Sequence, residues 1–244
     1  MTDRAVPQPA PMLADDVERL RHAVAHDLRS PVRNTIVFLE MLAAEHAAGL
    51  DADGRDYLER ARAAASRADT MLERLLDAER CDRMELRRSP VDLAVIARAA
   101  LAALAPDAPA AGLTLVADGA LDCTADPVLA GILLRELLDN ARKATASAGS
   151  AAVHLRRGAD RAGSGPTYRL TDQGIGFDMA YAGRLFQPFG RLHAFREFPG
   201  AGMGLAIARR IVERHGGHVH CEATPGTGCT IAFGFGPDSR TRMK

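Results

Sequence analysis

Glu136, Asn140 and Lys143 lie in the segment Arg135-Glu136-Leu137-Leu138-Asp139-Asn140-Ala141-Arg142-Lys143, whose residue types favour a helix. At 100° per residue their side chains fall within about 60° of one helical face. The grouping stands out in this chain, because the only other lysine is Lys244 and the only other asparagine is Asn34. Arginine meets every other need for positive charge. A compact ammonium kept at this one place serves as a point charge toward a phosphate.

Two glycine-bearing segments follow. In Leu170-Thr171-Asp172-Gln173-Gly174-Ile175-Gly176-Phe177 a short alternating strand runs into Gly174 and Gly176. An aspartate at a strand end can accept a hydrogen bond from an exocyclic amine, and the glycines let backbone approach a flat ligand; alone, such a segment is more often an ordinary turn. Gly200-Ala201-Gly202-Met203-Gly204-Leu205 opens an apolar-periodic helix through Ile207, Ile211 and Val212. Alternate glycines before a helix N-terminus expose N–H groups to an anion. The spacing is not the dinucleotide fingerprint, since the third glycine would have to stand at Leu205, and neither lysine follows a glycine as a P-loop requires.

With the late turn Thr224-Pro225-Gly226-Thr227-Gly228, these segments form an ordered set. The set resembles the ATP-binding domain shared by sensor histidine kinases, gyrase, Hsp90 and MutL. Leu185-Phe186-Gln187-Pro188-Phe189-Gly190-Arg191-Leu192-His193 resembles the F box and start of the ATP lid of the kinase branch. Far upstream, Val24-Ala25-His26-Asp27-Leu28-Arg29-Ser30-Pro31-Val32-Arg33 resembles the H box, whose histidine takes the γ-phosphoryl group of ATP. The wording is closest to the phytochrome-like subgroup, and the resemblance runs from Asp15 to Phe235.

The resemblance implies an ATP-dependent protein-histidine kinase using ATP and Mg2+. Asp172 would read the adenine amine beside Gly174 and Gly176. Asn140 would hold Mg2+, with Glu136 as a weaker second ligand, while Lys143 and the backbone around Gly202 and Gly204 balance phosphate charge and Gly200 and Thr227 complete the nucleotide site. Arg191, with His193 and Arg196, would reach them from the lid. His26 would be the phosphoacceptor, with Asp27 orienting its ring or taking its proton. Ser30 stands where related kinases often carry Thr or Asn that positions water for dephosphorylation of the regulator; its hydroxyl leaves phosphatase activity open. Glu136 stands where many kinases have an asparagine and the gyrase-like branch has a water-activating glutamate, so phosphotransfer base and ATP hydrolysis both remain open roles. The implied partner is an aspartate of a response regulator. The rival reading is a histidine phosphotransfer or scaffold protein with a kinase-like fold and no ATP turnover.

Composition narrows the remaining classes. At 244 residues, 47% of them hydrophobic, the chain is long enough for one or two cored domains. Equal Lys+Arg and Asp+Glu counts of 31 leave no bulk field to attract nucleic acid or an anionic membrane. The longest apolar stretch, Leu93 to Ala105, is interrupted by Arg98 and too short to span a bilayer, and Met1 to Pro11 lacks the apolar core of a signal peptide. The expectation is a cytoplasmic protein without membrane insertion. Only about a dozen residues precede the first helix, too few for a sensor domain, so input is expected from a separate sensor or regulatory protein, from the response regulator, or from a region outside this sequence. Cys81, Cys123, Cys221 and Cys229 have no CxxC spacing and read as reduced thiols. His215, His218 and His220 lack a suitably spaced carboxylate for a metal site. Asp51-Ala52-Asp53-Gly54 departs from a calcium loop and reads as an interhelical turn with an aspartate N-cap.

Apolar residues at Val17, Leu20, Val24, Leu28, Val32, Leu39 and Leu42, a turn at Gly49 to Gly54, and Tyr57, Ala61, Ala64, Ala68, Met71 and Leu75 predict two long helices in an antiparallel hairpin. A lone hairpin exposes its seam, so two copies should form a four-helix bundle in a homodimer. Beyond Pro90 the pattern alternates. Strands are expected at Leu113 to Val116, Ala152 to Arg156, Tyr168 to Thr171, His218 to Glu222 and Cys229 to Phe233, with helices near Leu93 to Leu104, Pro127 to Ser147 and Met203 to His215. The pattern suits helices on one face of a mixed sheet, and the resemblance implies the fold class α plus α/β: a helical dimerisation and phosphotransfer hairpin at residues 12–86, then an α/β sandwich of the gyrase and Hsp90 type at 89–236. Residues 1–11 and 237–244 are expected to be disordered tails.

Overall fold

A computed structural model describes residues 14–104, 112–146, 150–158, 166–190 and 200–237, with backbone only for 14–23, His26 and Ser150. The expected tails fall outside these, apart from Pro237. The chain divides into two compact units at Leu76 and Asp77.

The first unit follows from threes-and-fours spacing. Helix α1 (Ala14–His46) passes through a 3-10 turn (Ala47–Gly49) into α2 (Ala52–Arg83). Asp51 Oδ1 accepts the Gly54 N–H at 2.8 Å, so the acidic turn is a helix cap. Glu73 takes Arg29 and, at 3.1 Å, Arg33, which also meets Asp69 at 3.5 Å. As the α1 number rises by four, its α2 partner falls by four, the signature of antiparallel helices. Ala25 and Leu58 are buried, while Val24, Leu28, Leu42, Phe38 (69% exposed) and Tyr57 (65%) face outward.

The second unit holds the end of α2, then β1 (Ser89–Asp92), α3 (Leu93–Leu104), β2 (Gly112–Asp118), β3 (Asp122–Ala125), α4 (Pro127–Ala144), β4 (Ser150–Arg157) and β5 (Thr167–Asp172). A 3-10 segment (Met179–Arg184) precedes α5 (Gly204–Arg214), β6 (His218–Thr224) and β7 (Gly228–Gly234). The main sheet runs β2-β4-β5-β7-β6, with β2 parallel to β4 and every other pairing antiparallel. Helix α4 packs between α3 and α5. Leu133, Leu134, Leu137 and Leu138 of α4 are fully buried, as are Leu155, Tyr168, Phe233 and Ile207. Strands β1 and β3 were not expected: at four residues each they are too short to show alternation, and they form a separate two-stranded sheet. Tyr168 bridges the two sheets by donating its hydroxyl to the Asp122 carbonyl at 2.7 Å.

Asp126 starts α4 by accepting the N–H groups of Val128 (3.0 Å) and Leu129 (3.1 Å), with Pro127 at the first helical position. Its own N–H donates at 3.0 Å to Nε2 of His215, whose Nδ1 lies 2.7 Å from the Ile211 carbonyl. His215 is fully buried, and burial pushes its pKa below the ordinary imidazole range, with Arg88 and Arg214 adding to the effect. It is therefore a neutral structural link between α4 and α5. The rings of His218 and His220 stack with centroids 6.4 Å apart; no cluster of three or more potential metal ligands occurs among the described residues. All four cysteines are free, and burial pushes the Cys81 thiol up to about 11 and Cys123 to about 12. No described helix is long and apolar enough to cross a membrane.

Removing the Leu137 side chain (Leu137→Ala) should cost about 2–5 kcal/mol in urea denaturation, the range for a fully buried leucine. The depressed folded-state pKa of His215 means the unfolded chain binds the proton first as pH falls, so its contribution is present above pH ~6.5 and lost below it. Denaturation midpoints should fall more steeply between pH 7.5 and 5 in wild type than in His215→Gln; equal slopes would assign the titration to another group.

Candidate functional site

One edge of α4 lies against glycines from separate loops, and each approach depends on a missing Cβ. At Gly204 an added Cβ would sit 2.6 Å from Glu136 Oε2, at Gly200 it would sit 3.1 Å from Lys143 Nζ, and at Gly174 it would sit 2.6 Å from the Ala144 carbonyl oxygen. Half-buried Asn140 lies between Glu136 and Lys143 on this helix. Glu136, only 6% exposed, thus lies against the first residue of α5, a helix with no side-chain cap and no acidic residue in its first turn. A carboxylate there supplies the negative charge that a helix N-terminus favours. Gly200 and Gly202 have φ of 141° and 71°, backbone that side-chain-bearing residues rarely adopt.

Lys143 is held rather than loose. Its Nζ meets Asp139 Oδ2 at 2.5 Å, and Arg142 meets Oδ1 of the same carboxylate at 2.6 Å. Burial by itself would raise the pKa of Asp139, but the two cations outweigh it and hold the carboxyl below its usual range. The ammonium is thereby fixed against the Gly200 loop.

At the other end of this edge, β5 delivers Asp172 into a cradle. The carboxyl is 3% exposed, and its Oδ1 accepts the Gly174 N–H at 2.9 Å. Burial raises its pKa, against the pull of the Gly174 and Cys229 N–H groups. The Ile175 N–H donates to the Ala144 carbonyl at 3.0 Å, and the Ile175 carbonyl accepts from Gly226 at 2.7 Å. Gly176, at φ 58°, leaves no room for a side chain, because a Cβ would run into the Thr224 carbonyl. The loop is therefore clasped between the end of α4 and the β6–β7 turn, which carries exposed Thr227. The Asp172–Cys229 register of β5 and β7 brings that turn there.

The second unit thus gathers Glu136, Asn140, Lys143, Asp172, Gly174, Gly176, Gly200, Gly202, Gly204 and the turn bearing Thr227. His26, Asp27 and Ser30 lie on α1 in the first unit, with Asp27 and Ser30 exposed and the His26 side chain outside the description. Arg191, His193 and Arg196 fall outside the described residues. Sequence reasoning missed Ala144 and Asp139. The four-residue spacing from Asp139 to Lys143 was a usable signal for the second, whereas nothing marks an alanine whose role is its carbonyl. A buried carboxyl at the head of a loop with two glycines, an anchored ammonium and a glycine-lined helix N-terminus suit an amine-bearing ring joined to a polyanion.

The closeness of Glu136 and Gly204 yields a double-mutant test. Gly204→Ala should destabilise by about 1–3 kcal/mol through overpacking, and the loss should shrink in a Glu136→Ala background. Additive losses would show that the two do not touch.

Comparisons with known proteins fit both units. Residues 17–83 match the His Kinase A (phospho-acceptor) domain, and residues 125–239 match the histidine kinase-, DNA gyrase B-, and HSP90-like ATPase. The chain is similar to the phytochrome-like protein Cph1 of Synechocystis sp., at 27% identity over 218 residues, covering 89% of this chain and 29% of that protein. It is 30% identical over 225 residues to the adaptive-response sensory kinase SasA of Synechococcus sp. (strain JA-3-3Ab), covering 90% of this chain and 59% of that one. It therefore spans less than two thirds of either relative. The fold resembles that of full-length ShkA in a complex with AMPPNP, with a TM-score of 0.61 at 22% identity over 91% of this chain and 46% of that one. A phospho-acceptor match on the helical hairpin and an ATPase match on the mixed sheet, in that order, place the chain in the histidine kinase family.

Proposed function

We propose that this chain is an ATP-dependent protein-histidine kinase that phosphorylates its own His26 and passes the phosphoryl group to an aspartate of a response regulator. The observation that carries the reading is the single edge of α4 on which Glu136 meets Gly204 and Lys143 meets Gly200, with Asn140 between them and buried Asp172 nearby on the loop held by Ala144. In this reading Asp172 accepts the adenine amine, held on a loop whose Gly174 and Gly176 let it pack against the Ala144 and Thr224 carbonyls. Lys143 and the N–H groups around Gly202 and Gly204 balance phosphate charge, with Thr227 and the lid residue Arg191 as further contacts. Asn140, and Glu136 more weakly, offer hard oxygen donors for Mg2+, which neutralises phosphate charge when bound.

The chemistry at His26 is an in-line displacement. An unprotonated ring nitrogen forms a bond to the γ-phosphorus as the bond to the β,γ-bridging oxygen breaks, ADP leaves, and the ring gives up its remaining proton. Exposed Asp27, next along α1, is the residue to orient the ring or take that proton. Ser30, one turn on and also exposed, keeps a hydroxyl for water-assisted dephosphorylation of the regulator. The outward-facing Val24, Leu28, Phe38 and Leu42 support a homodimer in which a second hairpin covers this seam. Use of ATP and a response regulator puts the protein in the cytoplasm, with sensory input from a partner protein or a further region. The rival, a phosphotransfer or scaffold protein without ATP turnover, is disfavoured by an Asp172 cradle and an α4 edge that are both intact.

Incubation with γ-labelled ATP and Mg2+ tests the reading. Wild type should acquire acid-labile, alkali-stable label, and His26→Ala and Asn140→Ala should acquire none. Label persisting in His26→Ala would overturn the assignment of the acceptor, and no calorimetric uptake of a nonhydrolysable ATP analogue by wild type would leave the rival in place.

A further inference from the structure

Helix α5 is grasped at both ends. Its first residue, Gly204, lies against Glu136, and the preceding loop meets Lys143 at Gly200. At the opposite end Arg214 donates to the carbonyls of Cys81 and Met84, the last turn of α2 and the residue just beyond it. These carbonyls have no partner within a helix, and a cation is favoured at a helix C-terminus. One turn back along α5, Arg210 Nε meets Asp82 Oδ1 at 2.6 Å. The connector after α2 is fastened to the same place: Arg88 donates to the His215 carbonyl at the end of α5 and, at 2.8 Å, to that of Gly236.

Between its ends α5 is a stiff element. Leu205, Ile207, Ala208, Ile211 and Val212 are buried, and eleven residues span about 16 Å. Helix α2 is continuous from Ala52 to Arg83, while the compact unit that holds α5 begins at Asp77. The turn that Arg210 and Arg214 grip is thus the far end of the phospho-acceptor hairpin's own helix. The environment of Cys81 shows the same proximity: its thiol is raised first by burial, then by Asp77 and Asp82, and the charges of both Arg214 and Glu136 are felt there.

We propose that Arg210 and Arg214 are positioning residues that couple occupancy of the Gly200–Gly204 loop to the order of the last turn of α2, with α5 as the rigid link. The proposal rests on the reading that a nucleotide's phosphates lie against that loop. A polyanion at the start of α5 fixes the helix, and the fixed helix holds the end of α2 through the two guanidinium groups. Coupling is reciprocal, so displacement of α2 in turn alters affinity at the loop. The stem helix is then a route by which an upstream signal sets nucleotide binding.

Hydrogen exchange on the full chain, with and without a nonhydrolysable ATP analogue and Mg2+, tests this. In wild type the analogue should slow exchange in both the Asp172–Phe177 loop and residues 77–84. In the double variant Arg210→Ala/Arg214→Ala, protection of the loop should remain, protection of 77–84 should disappear, and the analogue's Kd should rise about fivefold, the lower range of coupling between sites. Asp82→Asn, which leaves both arginines in place, is the variant to use if the double variant does not fold, and it should reduce the protection of 77–84 in part. A purely stabilising role would change exchange at 77–84 equally with and without the analogue. Analogue-dependent protection of 77–84 that survives the double substitution, or that is missing in wild type while the loop is protected, would overturn the coupling alone. Protection of neither region in wild type would overturn the nucleotide reading and the coupling with it.

Discussion

The approach of α4 to backbone that carries no side chains is the constraint on which the second unit depends. A helix edge bearing a carboxylate, an amide and an ammonium can lie within van der Waals distance of separate loops only where the facing residues are glycines, and Gly174, Gly200 and Gly204 are those residues. Any side chain at these points would push the polar groups away from the space they border. The glycines therefore set how closely the site can close, and α4, pinned between α3 and α5 by fully buried leucines, sets where it stands.

Electrostatics inside this frame is arranged by pairing and burial together. Asp139 spends its charge on Lys143 and Arg142, so the one interior lysine has a fixed direction. Asp172 is buried and met by the backbone N–H groups of Gly174 and Cys229, and burial outweighs them, so its carboxyl is pushed upward while that of Asp139 is pulled down. His215 solves the opposite problem, staying neutral so that one ring can donate to α5 and accept from the start of α4. Among the described residues the first unit buries Ala25, Leu58 and Leu76. Its two helices are joined by ion pairs of Glu73 and Asp69 with Arg29 and Arg33, and Val24, Leu28, Phe38 and Leu42 face outward.

Much of this was legible in the residues. Period and turn chemistry mark both helices of the hairpin and, within a few residues, every strand of the main sheet, because alternation over six or more positions is visible without a structure. Helix α4 ended at Ala144 rather than Ser147, where Thr145 turns its hydroxyl back onto the Ala141 carbonyl. Strands β1 and β3 escaped notice because a four-residue pairing across a long sequence separation leaves no local pattern.

The amino-acid sequence by itself determined which chemical groups were available and on which faces: a carboxylate, amide and ammonium within one helical arc, an aspartate before two glycines, and alternate glycines before a helix. Helical and strand periodicity are local properties, written into neighbouring side chains. Only the tertiary structure decided that Gly204 meets Glu136, that the Ala144 carbonyl anchors the Asp172 loop, and that two arginines of α5 close the end of α2. These are encounters between backbone atoms or long side chains of residues far apart in the chain. Backbone groups are the same in every residue, so composition and spacing carry no mark of which carbonyl will be met or by what.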